Sequence, residues 1–184
     1  MSVVLRNPAI DEAEAIARLH IACWREAYPG IVPAAALAGA DLGERTAKWR
    51  QSIADPDSFV LAVFDGGEPV AFILARPRSD ADASAGDGEI PALYVRASHY
   101  RLKLGSRLMA AAAGWWLSRE GRSLRLGVLA ANVRAVAFYE RLGGRVVKTG
   151  TYHWGGADLP DAIYVFDDLP ALAARTGINA SGEG

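Results

Sequence analysis

The sequence has little of what secreted, metal-dependent and disulfide-stabilised proteins rely on. It has one cysteine, Cys23, among 184 residues, which excludes an intrachain disulfide and a cysteine-based zinc site. Its three histidines, His20, His99 and His153, have none of the mutual spacings typical of metal ligation, so we predict no metal. A single cysteine is typical of a protein in the reducing cytoplasm, and we expect a cytoplasmic protein.

The sequence also lacks a long hydrophobic run and a strong charge of either sign. The apolar stretch around residues 110–117 is too short to span a bilayer, and the N-terminus has no basic start followed by a long apolar core. Twenty Lys and Arg against 21 Asp and Glu give a formal net charge of -1. No overall field therefore attracts nucleic acid or an anionic membrane, and we expect a soluble, unexported protein that binds neither.

No repeat and no linker divide the chain, and its length is that of one domain. We predict a single domain over residues 1–170 and a partly disordered C-terminal tail over 171–184. Two β-rich runs flank Asp65-Gly66-Gly67-Glu68, a sequence typical of a hairpin turn. The stretch 79–88 has no large apolar residue and is predicted to be a mobile acidic loop.

Hydrophobic periodicity and turn residues place strands before, between and after the helices, so the predicted class is α/β with a mixed sheet covered by helices. The second helical region is expected to break near residues 39–43. The predicted strands are 3–6, 59–64, 70–76, 89–95, 124–129, 145–153 and 162–166, and the predicted helices are 11–28, 33–53, 104–118 and 133–142.

The most informative segment is the helix that begins after Asn132. At 3.6 residues per turn, Ala135, Phe138 and Leu142 share an apolar stripe, whereas Asn132 and Tyr139 lie on the neighbouring face. Asn132 is well placed to cap the helix, and a ligand lying along that face could contact both residues. Alternatively, the aromatic residues belong to an ordinary core and Asn132 is only a cap.

A second informative segment joins a strand to a helix through a basic turn, over residues 93–109. Main-chain N–H groups at a helix N-terminus bind anions, and Arg101, Lys103 and Arg107 add positive charge at the same place. A pyrophosphate would suit this site. The alternative is a basic turn that is simply solvated.

Taken together and in this order, these segments resemble the GNAT superfamily of N-acetyltransferases, over residues 3–166 and most specifically over 89–109 and 132–143. The resemblance implies a mixed, mostly antiparallel sheet with one splayed pair of strands and helices on both faces. It also implies direct transfer of an acetyl group from acetyl-CoA to a primary amine, on a small molecule, a protein N-terminus or a lysine.

The resemblance also assigns roles to particular residues. The strand at 93–95 would pair its main chain with the pantetheine arm and supply an N–H to the carbonyl oxygen. The turn after it would cradle the pyrophosphate, and Tyr139 would be the general acid that protonates the CoA thiolate. The implied acetyl-CoA site consists of Leu93, Tyr94, Val95, Tyr100, Arg101, Leu102, Lys103, Leu104, Gly105, Ser106, Asn132 and Tyr139.

The phosphate turn departs from the family pattern. Tyr100 stands where Gln or Arg is usual and Lys103 where glycine is usual, while Gly105 is kept. A lysine restricts the main chain more than glycine does, although its ammonium could pair with a phosphate. A different class of function therefore stays open, namely a CoA-binding or ligand-sensing module with weakened catalysis.

The resemblance also indicates an acceptor pocket, formed in part by the segment 24–33. Glu89, at the start of its strand, is the candidate general base, directly or through water, unless it is only an exposed strand-end carboxylate. The predicted pocket residues are Trp24, Tyr28, Glu89 and Trp154, unless the aromatic ones are simply packed.

The acidic residues near this pocket, Asp80, Asp82, Asp87 and Glu89, favour a cationic amine such as a polyamine, an aminoglycoside or a protein N-terminus, unless they are only solvated. The aromatic pocket residues would add walls suited to a cation, unless they are simply packed. Because many family members pair through their last strands, a homodimer is possible, with contacts at residues 152–157.

Overall fold

The structure is a computed structural model that describes residues 3–176. Its strands are β1 Val3–Arg6, β2 Phe59–Asp65, β3 Glu68–Pro77, β4 Asp87–Val95, β5 Ser123–Leu129, β6 Arg145–Trp154 and β7 Ala157–Phe166. Its helices are α1 Ala13–Ala27, α2 Ala34–Ala38, α3 Leu42–Ala54, α4 Leu104–Leu117, α5 Val133–Arg141 and α6 Leu169–Ala173.

The seven strands form one sheet in the order β1-β2-β3-β4-β5-β7-β6. Neighbouring strands are antiparallel except β4 and β5, which are parallel. The hairpin between β2 and β3 turns at Gly66 and Gly67, whose φ angles of 59° and 91° are ones that glycine adopts without strain. The predicted α/β class and mostly antiparallel sheet are confirmed.

Each face of the sheet has its own core. On one face α1 and α3 pack against β2 and β3, with Ile16, Trp49 and Phe72 buried between them. On the other face α4 and α6 pack against β3 and β5, and α5 lies alongside. Ala112 and Ala113 of α4 are fully buried, because their small side chains let the helix lie close to the sheet. Burial of this apolar surface drives the assembly of both layers.

The C-terminal boundary predicted at residue 170 falls inside α6. Leu169 and Leu172 are each 1% exposed and belong to the core around α4, so the packed domain extends past that boundary. Asp168 caps α6 by accepting the Ala171 N–H at 3.0 Å. The remainder of the predicted tail, residues 177–184, lies outside the described residues.

The acidic segment 79–88 is a loop as far as Gly86, as predicted, and its mobility stays a prediction. Its carboxylates surround Arg78, whose side chain is only 4% exposed and which bonds Asp80, Asp82 at 2.5 Å and Asp87 at 3.2 Å. The guanidinium ties the segment to the end of β3, and β4 already begins at Asp87. Residues 79–86 thus form the predicted loop, and a buried cation with several carboxylate partners holds it, a contact that a pattern of apolar residues does not reveal.

Candidate active site

The site begins where β4 and β5 separate. Residues 87–89 of β4 pair with 123–125 of β5, and no pairing between the two strands follows. Both strands continue, β4 to Val95 and β5 to Leu129. A gap therefore opens in the middle of the sheet, as the predicted splayed pair requires.

A β-bulge explains why the strands separate. Between Leu74 and Arg76 the register of β3 on β4 shifts, so Ile90 and Pro91 both stand opposite Ala75. A bulge bends its strand, and Pro91 has no N–H to donate to a neighbouring strand. Pro91 was missed as a functional residue, although a proline inside a predicted strand is the usual sign of a bulge or an edge.

The register of β4 turns two residues' main-chain groups toward the gap. The Arg96 N–H donates to the Val70 carbonyl at 2.9 Å. Bonding to a partner strand alternates along an antiparallel pair, so Tyr94 bonds β3, while the N–H and C=O of Leu93 and Val95 point toward the gap. These groups are positioned to pair with an extended ligand, as the resemblance implies for 93–95.

The turn after β4 presents free main-chain donors at the start of α4. The first helical bond runs from the Arg107 N–H to the Lys103 carbonyl at 3.1 Å, and no side chain caps the helix. The N–H groups of Leu104, Gly105 and Ser106 thus have no partner among residues 3–176. Such a helix start attracts anions.

Lys103 and Arg101 adopt the left-handed backbone conformation that glycine adopts freely. Their φ angles are 57° and 67°, which costs a side-chain-bearing residue about 1–2 kcal/mol. At Gly105, by contrast, a Cβ atom would lie 3.0 Å from Cζ of Phe138. The turn therefore has a glycine-like backbone at Lys103, and the glycine that it retains lies against the Phe138 ring of α5.

Positive charge surrounds this helix start. Arg101 and Lys103 are exposed, Arg107 is half-buried, and its buried Nε has no partner among the described residues. The Arg134 guanidinium lies 3.2 Å above the centre of the Tyr100 ring. A cation thus occupies the region of the Gln or Arg usual at position 100.

Asn132 and Tyr139 occupy the beginning and the buried face of α5. Asn132 Oδ1 accepts the Ala135 N–H at 3.2 Å, which confirms the predicted cap and leaves the amide NH₂ available. Tyr139 is 8% exposed and packs edge-on against Phe138 and Phe166. Its ring therefore contributes to the core around α4.

Burial raises the pKa of Tyr139 well above its usual range, and the nearby Tyr28 hydroxyl adds to the rise. The two phenols belong to opposite faces of the sheet. With its pKa raised in this way, Tyr139 is protonated throughout the physiological range.

On the α1–α3 face, a cleft of about 980 Å³ lies over the gap. The four residues predicted for the acceptor pocket all line it, although they come from three separate parts of the chain. They are Trp24, Tyr28, Glu89 and Trp154.

Hydrogen bonds fix the aromatic wall of this cleft. The Trp24 indole N–H donates to the Tyr94 hydroxyl at 3.0 Å, and the Tyr28 and Tyr94 hydroxyls are 2.8 Å apart. Burial raises the pKa of both phenols, so both stay neutral. Tyr94 was predicted only for the cofactor strand, and its side chain instead belongs to this wall.

His20 extends the wall inward. Its Nδ1 accepts the Trp49 indole N–H at 3.3 Å, and burial lowers its pKa to about 3, so the ring is neutral. Cys23 lies nearby at 2% exposure, and burial raises the pKa of its thiol to about 12. A buried thiol of this kind is no nucleophile.

Glu89 is an ion-paired carboxylate. Its Oε1 accepts from Nε of Arg76 at 2.6 Å, and its side chain is 33% exposed. Antiparallel pairing places the two residues opposite each other on β3 and β4. Glu89 therefore borders the cleft in contact with both water and a cation.

Several charged cleft residues were not predicted: Arg45, Arg78, Arg125, Lys148 and Asp161. Arg78 had a usable signal, because a cation two and four residues before aspartates is positioned to bond both. Arg45 had none, since nothing in a helical pattern tells which neighbouring element an arginine will face.

Within residues 3–176 no group of three or more His, Cys, Asp or Glu side chains is arranged to hold a metal ion. Over the same residues, none of the helices combines the length and the apolar character needed to cross a bilayer.

Residues 13–144 match the model of the Acetyltransferase (GNAT) family, well over half of the chain. The chain belongs to this family, and the resemblance drawn from its motifs is confirmed. A curated relative, the uncharacterised N-acetyltransferase YuaI of Bacillus subtilis, is 25% identical over 171 residues, which cover 92% of this chain and 96% of YuaI.

Solved structures share the fold. The PaiA N-acetyltransferase of Thermoplasma acidophilum, in complex with coenzyme A, is 21% identical with a TM-score of 0.72, covering 88% of this chain and 98% of that one. YncA of Salmonella typhimurium, an acetyltransferase structure with its cofactor acetyl-CoA, is 14% identical with a TM-score of 0.69, covering 100% and 99%.

Proposed function

We propose that this protein transfers an acetyl group from acetyl-CoA directly to a primary amine. The observation that carries the proposal is the gap between β4 and β5, with the main chain of Leu93 and Val95 directed toward it. Membership of the acetyltransferase family, and the coenzyme A and acetyl-CoA bound by PaiA and YncA, support the same reaction.

The residues present fit the proposed donor. The free N–H groups at the start of α4 and the cations Arg101, Lys103 and Arg107 suit a pyrophosphate. Lys103 keeps the left-handed backbone of a glycine-like turn, so its side chain does not prevent the main chain from donating. The Asn132 amide NH₂ is available for a carbonyl of the pantetheine arm.

On this proposal, a main-chain N–H of β4, the Tyr139 hydroxyl and the Glu89 carboxylate each assist one part of the transfer. The amine nitrogen attacks the thioester carbonyl carbon, while a main-chain N–H of Leu93 or Val95 donates to the carbonyl oxygen as it becomes negative. As the C–S bond breaks, the Tyr139 hydroxyl gives its proton to the sulfur. Burial raises the pKa of Tyr139, and it also raises the pKa of a CoA thiol formed beside it. The two pKa values therefore stay close, and the proton can pass from the phenol to the sulfur.

Glu89 takes the proton that the amine loses, through a water molecule at the exposed edge of the cleft. Glu89→Gln should lower turnover about 100-fold. Arg76→Gln is the matched control, because it removes the ion pair and keeps the carboxylate. Equal losses in both variants would show that Glu89 acts only through its ion pair.

A competing function is a CoA-binding sensor without turnover, which the strained Lys103 backbone favours. The two are separated by measuring the melting temperature against acetyl-CoA concentration and then thiol release with a panel of primary amines. A ligand that binds the native state must raise its stability. We expect stabilisation together with amine-dependent thiol release. Stabilisation alone would support the sensor, and neither effect would reject both.

A further inference from the structure

The cleft holds a cation, Arg45, that makes no ion pair with any of the residues 3–176. Arg45 projects from α3, and its guanidinium carbon lies 4.3 Å above the centre of the Trp24 ring. Among residues 3–176 no carboxylate lies within 4 Å of it and no acceptor bonds its N–H groups. An arginine stacked on an indole face keeps its in-plane donors free.

The carboxylates of the cleft, in contrast, are mostly neutralised. Asp80 and Asp82 bond the buried Arg78, Arg125 lies 3.7 Å from Asp82, and Glu89 bonds Arg76. The negative charge that favoured a cationic amine at the level of sequence is therefore cancelled by cations of the protein itself. Of the carboxylates that line the cleft, Asp161 has no cation within 4 Å among the described residues.

We propose that Arg45 binds a carboxylate of the acceptor, so that the acceptor is an α-amino acid with an aromatic or other apolar side chain. This inference rests on the proposed acetyl transfer. The planar guanidinium offers two parallel N–H donors that match a carboxylate. The neutral aromatic wall of Trp24, Tyr28 and Trp154 accepts an apolar side chain, and Asp161 can attract the ammonium group before it loses its proton.

The energetic reason lies in the surroundings of Arg45. Desolvation lowers its pKa, yet arginine stays charged at any physiological pH. A partly desolvated charge without a counter-ion is unfavourable, and an incoming carboxylate removes that cost. A polyamine would add a second positive charge beside Arg45 and is therefore disfavoured.

The test compares L-phenylalanine with L-phenylalaninamide, which differ only in the carboxylate, with spermidine as the cationic amine. Thiol release gives kcat/KM for the wild type, for Arg45→Gln and for a control, Arg50→Gln, an exposed arginine on the same helix. The two substrates differ in amine basicity, but this difference affects their kcat/KM ratio equally in every variant. A change in the ratio between variants therefore reports on the carboxylate. We expect Arg45→Gln to lower the acid-to-amide ratio 10- to 100-fold and Arg50→Gln to leave it within twofold.

A second measurement needs no turnover. N-Acetyl-L-phenylalanine should raise the melting temperature of the wild type and of Arg50→Gln, but not of Arg45→Gln, and N-acetyl-L-phenylalaninamide should raise none. Stabilisation in this pattern without thiol release from any amine would reject the acetyl transfer and keep the carboxylate site. Thiol release with an unchanged ratio in Arg45→Gln, or a preference for spermidine, would overturn the carboxylate site and keep the transfer.

Discussion

The two sides of the central gap are built from different kinds of chemical group. On the donor side, which comprises the gap edge of β4, the turn at 100–106 and α5, most polar groups that meet the gap are main-chain N–H and C=O. On the acceptor side, the cleft under α1 and α3, they are side chains: phenols, indoles, carboxylates and guanidinium groups.

This difference has a consequence for how the two sides tolerate substitution. A main-chain donor stays in place when the side chain changes, as long as the backbone keeps its shape, and Lys103 illustrates this at a φ of 57°. A side-chain contact disappears with its residue. If the proposed transfer is correct, we therefore expect substitutions to be tolerated better on the donor side than on the acceptor side.

Tyr139→Phe tests a proposed donor-side role that depends on a side chain, that of general acid. Turnover should fall about 100- to 1,000-fold, because the general acid is lost, while stabilisation by acetyl-CoA persists. The control is Tyr164→Phe, a buried tyrosine whose ring is 6.2 Å from that of Tyr139 and whose hydroxyl donates to Glu140. Thiol-release rates that fall equally in both variants would assign Tyr139 to packing alone.

Arg78→Met tests whether the acceptor side depends on its internal charge balance. Losing the bonds to Asp80, Asp82 and Asp87 should lower the free energy of unfolding by about 1–3 kcal/mol, measured by urea denaturation. It should also shift amine preference toward cations, since Asp80 loses its partner and Asp82 keeps only Arg125, 3.7 Å away. Arg50→Met, on the exposed face of α3, should change neither quantity, and an unshifted preference in Arg78→Met would mean that these carboxylates do not influence the acceptor.

A pH series tests the burial of the acceptor wall. The pKa of His20 is lowered to about 3 in the folded protein, against about 6.5 when unfolded. Between these values the unfolded state binds the additional proton. The His20 contribution is therefore complete above pH 6.5 and is lost as pH falls, by up to about 2 kcal/mol at pH 5. His20→Gln should flatten the dependence of stability on pH between 6.5 and 5, and an unchanged slope would mean that His20 is solvated.

Lys103→Gly should have the smallest effect. Glycine relieves the left-handed strain but adds freedom to the unfolded chain, so the net change in stability should stay within about 1 kcal/mol. If the main chain binds the donor, acetyl-CoA affinity measured by titration should stay within about threefold. A loss above tenfold, with the same loss in Lys103→Ala, would show that the ammonium group binds phosphate and would end the contrast between the two sides.

The pairing of two copies through β6 and the β6–β7 turn stays a prediction. Tyr152 is 52% exposed on this edge strand. A Cβ atom on Gly155, however, would lie 2.2 Å from the Cβ of Ala36, so the tip of the hairpin already packs against α2 within the chain.

The sequence alone predicted the local structure of the donor side, because each of its parts is a contiguous segment, whereas the binding role of these parts came from the family resemblance. Helix α5 and its Asn132 cap, the basic turn and the start of α4 each follow from residues within one or two turns of each other, where capping and periodicity act. The acceptor residues Trp24, Tyr28, Glu89 and Trp154 were named only through the family resemblance. Nothing local indicated that they share a cleft.

Only the tertiary structure decided which charges in that cleft are cancelled. Glu89 meets Arg76 through the register of two strands, the aspartates after β3 meet a buried Arg78, and Arg45 meets the Trp24 ring without any carboxylate. Secondary structure depends on neighbours along the chain, and the sequence therefore predicts it. The state of a charged group depends on which solvent and counter-ions surround it, and folding alone brings those together.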